Sequence, residues 1–69
     1  MPRKIRQLKA DLRQAGFRLK KGGGKGSHTA WTHPAIAGRI ILSGADGADA
    51  KPYQEEQVRE AIAKVRQAE

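Results

Sequence analysis

Apolar residues recur at Ile5, Leu8, Leu12 and Ala15, spaced three, four and three apart. That spacing puts them on one stripe of an amphipathic helix over residues 3–15. Gly16 suits the left-handed position just past the helix end, and Phe17 would pack back over the last turn. The period then changes to two. In Phe17-Arg-Leu-Lys-Lys21, Phe17 and Leu19 are expected to face a core, with Arg18 and Lys20 on the opposite side of a strand. Residues 22–27 form a glycine-rich turn. His28-Thr-Ala-Trp-Thr-His33 reads as a second strand, stopped by Pro34. In it Thr29, Trp31 and His33 share one face, and His28, Ala30 and Thr32 the other. Burying Trp31, the only Trp, therefore turns His28 away from the core.

Arg39-Ile-Ile-Leu-Ser43 is a third strand, apolar enough to be central or largely covered. Residues 44–50 are a small-residue loop. A last helix runs from Pro52 to about Ala68, with Pro in its first turn and Glu55 and Glu56 near its positive end. Val58, Ala61, Ile62 and Val65 form its apolar stripe, and Glu55–Arg59 and Glu60–Lys64 are favourable i,i+4 pairs. The order is αβββα, an α+β fold. Each helix has a single stripe, so both are expected on one face of a three-stranded antiparallel sheet. The other face, carrying Arg18, Lys20 and His28, stays open.

Sixty-nine residues make one domain, residues 1–69, and one this small buries only about 60% of its unfolded surface. A deep enclosed pocket is not expected. The absence of cysteine excludes disulfides and thiolate metal sites. No run approaches a membrane span and the first residues hold no apolar signal region, so a soluble, cytoplasmic protein without a membrane partner is expected. Net charge is +7, unevenly placed. Residues 1–39 hold ten Lys or Arg against Asp11, a balance of +9, whereas residues 40–69 balance at −2. A positive field confined to one half of a chain favours a polyanion such as RNA over mere solubility. Arg6, Lys9 and Arg13, with Lys4, lie on the polar face of the first helix, where they are either phosphate contacts or a solvated face.

The glycine-rich stretch is not a P-loop, because Lys25 is followed by Gly26 and the stretch leads into a strand. Its N–H groups can form an anion-binding concavity, or it is simply a flexible hairpin turn. His28 and His33, the only histidines, have no carboxylate near them in sequence to complete a zinc site, and Asp46 and Asp49 fit no calcium-loop spacing and read as loop polar residues. No metal and no cofactor is expected. A metal-free histidine can move a proton at a 2′-hydroxyl or a leaving oxygen, with nearby cations stabilising the phosphorane. The residues alone leave His28 open between that role and an ordinary surface position.

Gly24-Lys-Gly-Ser-His28, Trp31-Thr-His-Pro34, Ile40-Ile-Leu-Ser-Gly44 and Ala50-Lys-Pro-Tyr-Gln54 together resemble the HicA (YcfA-like) family of toxins, the toxin halves of HicA–HicB toxin–antitoxin pairs. The likeness covers nearly the whole chain. It implies a fold like that of double-stranded-RNA-binding domains and a metal-independent endoribonuclease, an mRNA interferase. It also implies a catalytic histidine at His28, and a HicB-like antitoxin that occludes the His28 face. Lys25, Gly26 and Ser27 beside it, with Arg18, Lys20 and Lys21 across the hairpin, are the expected RNA-binding and positioning residues. Many family members have a longer, less glycine-rich first strand and often a second His or another polar residue after the motif, where this chain has Thr29. His33 resembles the His of the family's His-Pro pair, and its parity beside Trp31 makes it structural. A non-catalytic RNA-binding module of the same fold is the alternative.

Overall fold

Trp31, the largest apolar side chain, is fully buried, and the elements are arranged around it. The computed structural model describes residues 3–20 and 28–68. The order is α1 (Ile5–Gln14), β1 (Arg18–Leu19), β2 (Thr29–Thr32), β3 (Ile40–Leu42) and α2 (Pro52–Ala68). The strands form an antiparallel meander in the order β1-β2-β3. This is the expected αβββα arrangement. Trp31 pairs with Ile40, and Thr29 with Leu42, so these four side chains share one face. Ile5, Leu8 and Leu12 of α1 and Val58, Ala61 and Val65 of α2 close over that face in one core. The thinnest dimension of the trace is 17 Å, about the depth of one helical layer on one sheet.

The helix ends explain why α1 and α2 sit where they do. At the end of α1 the Phe17 N–H bonds the Leu12 carbonyl (2.9 Å) and the Gly16 N–H bonds the Arg13 carbonyl (3.0 Å), which is a Schellman closure. Gly16 has φ +96°, as anticipated, and a Cβ there would lie 3.0 Å from the His33 imidazole. The closure delivers Phe17 into the core, where its ring meets His33 edge-on at 5.1 Å. The helix starts share a device that has no Ser, Thr or Asp. Gln7 Oε1 accepts the Lys4 N–H (2.7 Å), and Gln54 Oε1 accepts the Lys51 N–H (2.8 Å), the glutamine half of a capping box. Gln54 is buried, and its Nε2 donates to the Ser43 carbonyl (3.0 Å), tying the start of α2 to the end of β3.

The loop between β3 and α2 is bound to the start of α1. Ala48 and Asp46 carbonyls accept the Ile5 and Arg6 N–H groups (2.9 and 3.1 Å), and the Ala50 N–H donates to Arg3 (2.6 Å). These carbonyls satisfy N–H groups that every helix start leaves without an internal partner. Asp49 and Asp46 also pair with Lys4 and Lys9 at 2.5 and 2.6 Å, so they are specific partners of α1 rather than generic loop polar residues. The Lys9 hydrogen bond and charge hold the Asp46 carboxyl below its ordinary value. Its contribution to stability is thus present above the ordinary Asp range and lost as pH falls through the depressed value.

Two expectations need correction and a third narrows. Leu19, expected in the core, is 48% exposed. It shares the face of its partner Trp31, but β1 is a two-residue edge strand and the core ends at Phe17. β3 is an edge strand rather than a central one, but it is largely covered, the other possibility its apolar residues allowed: Ile40 and Leu42 are buried and Ile41 is 45% exposed. On α2 the ion pair formed among the described residues is Glu56–Arg59 at 3.8 Å, not the two i,i+4 pairs, because exposed side chains of this length have many rotamers and little to hold one.

Two substitutions test this architecture by chemical denaturation. Gly16→Ala is expected to cost about 1–3 kcal/mol, because its backbone is left-handed and its Cβ would press on His33. Gln54→Ala is expected to cost about 1–3 kcal/mol by leaving the Ser43 carbonyl and the Lys51 N–H without partners. Unchanged midpoints in either variant would contradict the roles described.

Candidate nucleic-acid interface and catalytic histidine

The position of His28 follows from the one polar atom of Trp31. A buried indole N–H needs an acceptor. Here Trp31 Nε1 donates to Thr29 Oγ1 at 3.0 Å, and the same hydroxyl lies 3.4 Å from the Leu42 carbonyl. Thr29 is thereby held on the helix side of β2. Strand alternation then sends the residues on either side of it, His28 and Ala30, to the other face. His28 is exposed there.

The ladder sets out the rest of this open face. Arg18 pairs with Thr32. Ala30 pairs with Ile41 on one side, and on the other its carbonyl accepts the Lys20 N–H at 2.8 Å. Arg18 and Lys20 are both exposed. Continued by one pair at each end, the β2–β3 register sets Arg39 opposite Thr32 and Ser43 opposite His28. The face thus holds rows Arg18–Thr32–Arg39 and Lys20–Ala30–Ile41, with His28 one step beyond Ala30. Ala30 is buried although it lies on this face, being a small residue between two flanking strands.

Charge separates sharply between the two sides. Residues 12–45 contain six Lys or Arg and no acid. The acids of the described residues lie on α1, on α2 or in the loop after β3. Arg3 and Lys4, just before α1, pair with Asp11 and Asp49, and Lys9 on α1 pairs with Asp46, while Arg6 and Arg13 form none of the described ion pairs. Arg13 lies over the Trp31 ring, 5.2 Å from its centroid, a cation–π arrangement. The first helix therefore offers a polyanion less free charge than its sequence promised. The Asp11 hydrogen bond also raises the Arg3 guanidinium above its ordinary value. The cations of the open face have no acid partner among the described ion pairs.

Of the expected site residues, the structure brings His28, Arg18 and Lys20 to one face. Lys21, Lys25, Gly26 and Ser27 lie outside the described residues, as does the glycine-rich turn. His33 belongs to the framework: its Nδ1 accepts the Ala35 N–H at 2.9 Å and its ring packs on Phe17. Among the described residues no group of three His, Cys, Asp or Glu gathers to hold a metal ion, and no helix is long and apolar enough to cross a membrane. Sequence reading missed Ile41 and Arg39 as members of the open face. Their signal was the alternation of Arg39, Ile41 and Ser43, obscured because Ile40-Ile-Leu42 reads as uniformly apolar. A groove lined by Leu8, Asp11, Val58, Ile62 and Arg66 runs between the helices, on the side away from His28.

Among curated proteins and among solved structures, none matches this chain. The family model for the HicA toxin of bacterial toxin–antitoxin systems matches residues 5–69, from the first residue of α1 onward. That span takes in the whole αβββα unit and the His28 face. Membership implies a toxin whose partner is an antitoxin. The chain belongs to the HicA toxin family.

Proposed function

We propose that this protein is a metal-independent endoribonuclease that cleaves mRNA, acting as a single domain over residues 1–69 in the cytoplasm. One observation carries the reading: an exposed histidine shares with Arg18 and Lys20 a sheet face that holds no acid among the described residues. Lys or Arg side chains on such a surface bind phosphates and set the register of the strand. His28 takes the proton from a 2′-hydroxyl, whose oxygen attacks the adjacent phosphorus as the bond to the 5′-oxygen breaks. A proton from the imidazolium or from water goes to that leaving oxygen. The products are a 2′,3′-cyclic phosphate and a free 5′-hydroxyl. Arg18 and Lys20 stabilise charge on the phosphorane. Lys21, Lys25, Gly26 and Ser27, which precede His28, complete the RNA-binding site in this reading. Among the described residues no carboxylate lies on the face, which fits a reaction without a divalent cation. A HicB-like antitoxin inhibits by covering the His28 face, and acidic side chains on its contact surface would match the cations there.

His28→Ala is expected to lower cleavage of a single-stranded RNA in EDTA by about 10²-fold or more, with an unchanged melting curve. Growth arrest on induced expression should disappear with it. Cleavage retained by the folded variant would sink the assignment. Wild-type protein that binds RNA and leaves it intact would make the chain a binding module. Arg18→Ala and Lys20→Ala should each weaken RNA binding and reduce the slope of log affinity against log salt by about one. An unchanged slope would remove that side chain from the phosphate contacts.

A further inference from the structure

The cations of the open face lie in rows whose spacing fits a polynucleotide backbone. Residues on one face of a strand recur at about 6.6 Å, close to the distance between successive phosphates of an extended chain. From His28 the face steps first to the row Lys20–Ala30–Ile41 and then to the row Arg18–Thr32–Arg39. That second row lies four residues along the strand from His28, or about 13 Å. Arg18 and Arg39 stand on the two outer strands, roughly 10 Å apart across Thr32, a gap that two arginine side chains can close. Both are exposed, and Thr32 between them is partly buried. Arg39 also borders a shallow cleft beside Glu60 of α2, yet the two form none of the described ion pairs. Like charges converging on one sheet face repel, and a phosphate offers each guanidinium the paired oxygens that its fork fits. We propose that Arg18 and Arg39 clamp a backbone phosphate two nucleotides from the bond that His28 cleaves, with the Thr32 hydroxyl as a third donor. The RNA strand then runs along β2 rather than across the sheet, and Arg39 is a positioning residue that sets the register of cleavage. The inference rests on the ribonuclease reading of His28 and adds a direction and a minimum length to its substrate. Lys20, in the nearer row, stays beside the reacting phosphate, while Arg18 acts on the phosphorane only through its field.

The test uses the full chain and a short RNA strand that is 2′-O-methylated everywhere except at one ribose, so that a single bond can be cleaved. One neutral methylphosphonate then replaces each neighbouring phosphate in turn. For the wild type, kcat/KM is expected to fall about tenfold when the second phosphate on one side of the cleaved bond is neutral. Arg39→Ala should cause a similar loss on the all-phosphate strand, through KM with kcat nearly unchanged. It should also be indifferent to the methylphosphonate at that second position while remaining sensitive to the others. Arg39→Lys keeps the charge and should recover part of the loss, and Arg18→Ala should become indifferent at the same phosphate. Three results would each overturn the clamp while leaving cleavage in place: an Arg39→Ala loss that persists in full when that phosphate is neutral, Arg18 and Arg39 reporting different phosphates, or an unchanged KM in folded Arg39→Ala protein. Absence of cleavage by the wild type would overturn the ribonuclease reading, and the clamp with it.

Discussion

The hydrogen bond from the Trp31 indole to the Thr29 hydroxyl governs the rest of the structure. Burying an indole is favourable by its large apolar area, but only when its N–H finds an acceptor. Thr29 supplies it from the same strand and face, two residues away. With Trp31 and Thr29 committed to the helix side, His28 has no choice of face. The same commitment aligns Trp31 with Ile40 and Thr29 with Leu42, so the apolar residues of β3 that meet the helices are set too. A slip of one residue in this register would bury His28 and expose Trp31, which makes the exposure of His28 a by-product of core packing.

Electrostatics complete the division of the molecule into two sides. The loop after β3 brings Asp46 and Asp49 against Lys9 and Lys4, and its carbonyls cap α1 from outside. Surface ion pairs of this kind contribute little to stability. Their larger effect here is on the field: they quench positive charge on the helix side and leave that of the sheet uncompensated. Arg18, Lys20 and Arg39 on that face have no acid partner among the described ion pairs, so part of the net charge of +7 lies beside the histidine. A polyanion approaching the molecule is attracted toward the cations of that face.

Only two layers form this domain, so each helix end must be secured by local contacts. The Schellman closure at Gly16, the paired glutamines at Lys4 and Lys51, and the Gln54 link to Ser43 do this with backbone groups that would otherwise be unsatisfied. Gln54 also anchors the end of β3 opposite His28. The elements that hold the fold and those that present the His28 face are therefore contiguous.

Much of this was legible in the residues. Helical spacing at Ile5, Leu8 and Leu12, and at Val58, Ala61 and Val65, named both buried stripes, because periodicity records which side of an element is dry. Gly16 announced its turn, and the parity of Trp31 and His28 named the exposed histidine, since alternation along a strand is a geometric fact independent of context. Other features depended on residues far apart in the chain. Leu19 has the right parity for burial, yet no helix reaches over the edge strand that carries it. Lys4 and Lys9 look like free cations until residues some forty positions away fold against them. Gln54 looks like an ordinary surface residue of a helix until the Ser43 carbonyl meets it. Local patterns specify which way a side chain points; whether anything waits there to cover, neutralise or bond it is a property of how the elements pack.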